Sequence, residues 1–126
     1  MINRRHIRVK VMQSVYAMIK SNDDNIVKEE KFIKYSIKKM FDLYVLLLQL
    51  LVEVQKLAEQ KQEISKKKYL ATKEDLSPNR KFVDNKLIKK LAESASLSLH
   101  IEGQNLNNWS KDDEYVKIIW DKLQKS

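Results

Sequence analysis

Residues 33–58 read IKYSIKKMFDLYVLLLQLLVEVQKLA. Ile33, Ile37, Met40, Tyr44, Leu47, Leu51, Val54 and Ala58 fall alternately four and three residues apart, without a miss. That alternation follows one face of an α-helix, and here it persists for almost four heptads. Phe41, Leu43, Leu46, Leu48 and Leu50 widen the stripe to most of the circumference. A helix apolar nearly all round is buried on several sides. Leu47 and Leu51 are therefore expected to be almost fully buried, with residues 60–68 projecting. Between its turn signals the helix runs from about residue 26 to about residue 66. Some forty residues at about 1.5 Å each reach roughly 60 Å, beyond the diameter of a compact domain of this size.

The flanks supply the remaining helices. Ser21-Asn22-Asp23-Asp24-Asn25 is a turn and helix-cap cluster. A first helix is expected over residues 3–20, with Ile7, Val11, Val15 and Met18 as its apolar stripe and Met12 and Ile19 beside it. Beyond the long helix, residues 65–77 form a connector. Its Lys66-Lys67-Lys68 run suits a solvated helix C-terminus. Ser77-Pro78 predicts the start of a third helix, with Ser as cap and Pro in the first position. Val83, Leu87, Leu91 and Ala95 would be its core row. Gly103 and the amide-rich residues 104–108 end it. Ser110 would cap a fourth helix carrying Val116, Ile119, Trp120 and Leu123. The expectation is an all-α helical bundle of about four helices around one long central helix, a single domain over residues 1–126. The last stripe is still running at Ser126, so a C-terminal truncation is expected.

Composition agrees. One Gly and one Pro in 126 residues exclude a turn-rich β fold. The absence of cysteine excludes disulfides, thiol catalysis and cysteine-based zinc sites. His6 and His100 form no metal-spaced pair, and a single glycine builds no phosphate loop. Glu29-Glu30 and Asp112-Asp113 stand at helix starts, where capping accounts for them. No catalytic residue, metal or cofactor is expected, and the protein reads as a non-enzyme. No secretory signal is expected, and residues 40–52 are too short to span a bilayer. A cytoplasmic protein with no membrane partner is expected.

The net charge of +8 favours an anionic partner, although Lys-rich solvated helices give the same sum. The charge is most pointed at the start. Arg4, Arg5, Arg8 and Lys10 open the first helix with no acid among them. Cations there oppose the helix macrodipole, and phosphate would offset that cost. The alternative is a solvated basic end with one arginine in an ion pair. Arg8 falls among Ile7, Val11, Met12 and Val15 by helical angle, so it is expected to pair with a carboxylate such as Glu53, Asp84 or Glu93.

Arg4, Arg5, Arg8, Gln13, Val15 and Tyr16 resemble, at matching spacing, the opening helix of the NusB transcription antitermination family. The resemblance covers about thirteen residues, and it implies the N-terminal part of a longer NusB-like protein. It further implies an RNA-binding factor acting on ribosomal RNA transcription. Such a factor binds a boxA-like element of the ribosomal RNA leader through Arg4, Arg5, Arg8 and Lys10. Its implied partners are the NusE ribosomal protein and the transcription antitermination complex. Two other readings stay open: a helical interaction module whose heptad seam binds another copy, as a homodimer, or a partner helix, and a NusB-like accessory domain of an RNA methyltransferase.

Overall fold

The computed structural model describes residues 2–126. Among them the chain is all-helical, with seven helices and no strand. These are α1 (Arg4–Ser21), α2 (Ile26–Lys66), α3 (Lys73–Leu76), α4 (Lys86–Ala92), α5 (Ala95–Gly103), α6 (Asn108–Lys111) and α7 (Asp113–Lys125). The long helix expected from the heptads is α2, at 41 residues. It runs through both of the units into which the chain divides, one ending at Tyr44 and one beginning at Val45.

Local chemistry sets the ends of α1 and α2. Asn3 caps α1: its side chain accepts from the His6 N–H at 3.1 Å, and the His6 imidazole accepts from the Asn3 N–H at 3.3 Å. Histidine thus fills the reciprocal role that Glu or Gln usually takes in a capping box. Asn22 ends the helix in the left-handed region, φ 51°, which asparagine tolerates better than most residues. Asn25 then caps α2, its side-chain Oδ1 accepting from the Lys28 N–H at 3.0 Å.

The third helix departs from expectation. Ser77-Pro78 ends α3 and does not start a helix. Thr72 and Asp75 form a capping box that begins α3 five residues earlier, and the Ser77 N–H closes its single turn on the Lys73 carbonyl. Tertiary hydrogen bonds then keep residues 79–83 out of a regular helix. The Gln62 side-chain amide donates to the Asn79 carbonyl at 3.1 Å, and that of Gln55 to the Val83 carbonyl at 2.6 Å. A helix would have given those carbonyls to backbone donors four residues on. Asn85 instead caps α4 by accepting from the Leu87 and Ile88 N–H groups. Val83 and Ile88 are buried, whereas Leu87 is exposed. Ser110 is likewise no cap: it lies inside α6 and donates to the Asn107 carbonyl, and α7 starts at Asp113.

The core lies in residues 45–126. Val54 and Ala58 of α2 meet Val83 and, from α7, Val116 and Trp120. Leu50, Leu57, Phe82, Trp109 and Ile119 pack around them. The rings of Phe82 and Trp120 stand 5.6 Å apart at 46°, within the tilted geometry that aromatic pairs favour. Trp109 donates its indole N–H to the Leu46 carbonyl at 2.8 Å.

Two expectations about burial fail here. Leu47 and Leu51 are 53 % and 38 % exposed. The most enclosed stretch of α2 is Val52, Val54, Gln55 and Ala58, beyond the densest leucines, because Val83 and α7 converge there. Nor do residues 60–68 simply project: Gln62 is buried by its bond to Asn79.

Candidate nucleic-acid interface

The first helix is far more open than its stripe implies. Ile7, Val11 and Val15 are exposed, as are Met12, Tyr16 and Ile19. The buried residue of α1 is Ser14, whose hydroxyl donates to a Glu29 carboxylate oxygen at 2.6 Å. Ser14 and Glu29 tie α1 to the first turn of α2 across the short connection at residues 22–25.

That openness places the four expected site residues in solvent. Arg4, Arg5 and Arg8 are exposed and Lys10 is partly so. Among the described residues, none of the four has a carboxylate within ion-pair distance. Within residues 45–126, Glu53 is engaged by Lys56 and Asp84 by Arg80 and Lys89. The first turn of α1 contains no acid. A macrodipole unfavourable to cations thus meets Arg4 and Arg5 in the first turn, which no protein anion compensates.

The same unit is basic throughout. Residues 1–44 hold ten Lys and Arg against five Asp and Glu, a balance of +5 within the +8 of the chain. Its acids are mostly engaged. Lys28 reaches Asp23 at 2.6 Å, Lys34 reaches Glu30 at 2.6 Å and Lys39 reaches the buried Asp42 at 3.2 Å. The hydrogen bond from Lys28 holds the Asp23 carboxyl below the usual carboxylate range, and Lys34 does the same for Glu30. Aromatics are interleaved with the lysines. The Lys20 ammonium lies 5.7 Å from the Tyr16 ring centre, and that of Lys39 lies 5.5 Å from the Tyr35 ring centre. Lys31, Tyr35 and Lys38 were not expected as site residues, because the apolar seam of α2 dominates the reading of that helix.

Residues 45–126 carry two clefts of a different kind. The larger, about 730 Å³, lies between the end of α2 and α7 and includes Lys61, Glu74, Asp75, Lys81 and Trp120. Its opposed charges favour neither sign of ligand. The smaller, about 200 Å³, lies beside Gln49, Leu91 and Ile101. Among the described residues no group of three His, Cys, Asp or Glu side chains is placed to hold a metal ion. No helix among them is long and apolar enough to cross a membrane. No family model, curated protein or solved structure matches the chain.

Proposed function

We propose that this protein binds RNA through the start of α1, as a transcription antitermination factor of the NusB kind acting on ribosomal RNA synthesis. The observation that carries this reading is the set Arg4, Arg5 and Arg8, exposed, with the partly exposed Lys10, none with a protein anion; Arg4 and Arg5 stand in the first helical turn, which disfavours positive charge. A polyanion supplies the missing counter-charge. Guanidinium groups suit it because they bind phosphate through two parallel hydrogen bonds and stack on bases. The resemblance of residues 4–16 to the NusB opening helix narrows the polyanion to a boxA-like leader of ribosomal RNA. It names the NusE ribosomal protein as the partner.

Binding of a single-stranded boxA-like RNA, followed by fluorescence anisotropy across a salt series, tests this. Each phosphate contact contributes about 0.7 to the slope of log affinity against log salt for single strands. Replacing Arg4 and Arg5 together by Ala should weaken binding and flatten the slope by about 1.4 if each meets one phosphate. Unchanged affinity and slope would move RNA off this helix.

One observation favours a second reading. Tyr44, Leu47 and Leu51 lie on the heptad seam yet are exposed. A helical interaction module, including a homodimer, would cover them. A mass that rises with concentration, and falls back when Leu47 is replaced by Lys, would identify it.

A further inference from the structure

The apolar seam hides a second heptad row on α2. Lys31, Tyr35, Lys38, Asp42, Val45, Gln49 and Val52 also fall alternately four and three residues apart, so they share one face. The face changes character along its length. From Asp42 onward it is turned inward, with Asp42, Val45 and Val52 buried and Gln49 half-buried. Before Asp42 it is exposed, and its residues are basic, aromatic and basic.

The lysines of this part of α2 are not equivalent. Lys28, Lys34 and Lys39 are each engaged by a carboxylate. Among the described residues, Lys31 and Lys38 have no ion-pair partner. These two flank Tyr35, one helical turn to either side, about 10 Å apart along the axis. Tyr35 is 58 % exposed, so the contact from Lys39 leaves much of its ring open. Solvated lysines account for charge on a helix face. They do not account for the two unengaged lysines bracketing an open aromatic ring on the face that is otherwise buried.

We infer that Lys31, Tyr35 and Lys38 form a second contact surface for single-stranded RNA, the lysines meeting two phosphates and the ring stacking on an unpaired base between them. The inference rests on the RNA-binding reading above and adds α2 to it. Charge complementarity selects a polyanion. The ring selects a single strand, since a base inside a duplex cannot reach an aromatic face.

The experiment uses the full chain, a single-stranded RNA and a duplex of the same sequence. Lys31→Gln with Lys38→Gln should flatten the salt slope by about 1.4, two contacts at about 0.7 each. Tyr35→Ala should weaken binding by several-fold to about a hundredfold with the slope unchanged, and Tyr35→Phe should restore it. Lys122→Gln with Lys125→Gln, a control pair at the end of α7, should change neither quantity. All these side chains are exposed, so helix content by circular dichroism should be unaltered. Loss of affinity in the Arg4 and Arg5 variant, with none in the α2 variants, would overturn this surface and leave the proposed function standing. An equal effect of the control pair, or duplex bound as tightly as single strand, would also overturn it. Absence of RNA binding by the unsubstituted chain would overturn both.

Discussion

In residues 45–126 large apolar side chains converge on Trp120. In the described residues up to Tyr44 the buried side chains are those of Ser14 and Asp42, and both are polar. The two regions have similar raw material. Ile7, Val11, Val15, Ile33 and Ile37 are as regularly spaced as Val54, Ala58, Val116 and Trp120. What differs is the number of directions from which a helix is covered. Around Val54 and Ala58, contacts arrive from Val83, from Phe82 and from two positions of α7. Periodicity shows that a face can be buried, and the number of neighbours decides whether it is. The sparser region is also the more basic, and it leaves cations and aromatic rings open to a partner. The larger cleft of the denser region is of balanced charge.

The comparison predicts its largest contrast in stability. Trp120→Ala removes a buried ring from the core and should cost about 3–5 kcal/mol in denaturant unfolding. Leu47→Ala, at the densest point of the sequence stripe but half exposed, should cost less than about 0.5 kcal/mol. A Leu47 variant as damaging as the Trp120 variant would show that the exposed seam is covered in solution.

A smaller effect tests the polar tie in the sparse region. Ser14→Ala leaves a partly buried Glu29 carboxylate without its 2.6 Å donor and should cost about 1–2 kcal/mol. Amide hydrogen exchange should quicken in α1 and stay unchanged at Val52, Val54 and Ala58. Quickening at both sites would show that the two regions open as one.

The smallest effect concerns Asp84. Hydrogen bonds from Arg80 and Lys89 hold its carboxyl below the ordinary aspartate value. Its contribution to stability is therefore fully present above the ordinary aspartate pKa and is lost as pH falls through the depressed one. Both partners are exposed, so the effect is slight. Asp84→Asn should reduce the pH dependence of unfolding at the acid end and leave neutral stability almost unaltered. A marked loss at neutral pH would show that the Arg80 cluster holds residues 79–84 in place.

By itself the sequence determined the all-helical class, the extent of α2 and the turn before it. Scarce Gly and Pro, unbroken heptads and an Asn/Asp cap cluster are local signals that act within one helix or turn. It also determined that the cations of α1 lie at a helix start without acids. Only the tertiary structure decided which apolar faces are covered. Leu47 and Val54 belong to one seam, yet Val83 and Trp120 approach the second and not the first. It also decided the fate of Ser77-Pro78, because Gln55 and Gln62 take the Val83 and Asn79 carbonyls that a helix would have used. Each outcome depends on what a distant or neighbouring segment brings to a residue, and a one-dimensional pattern does not carry that information.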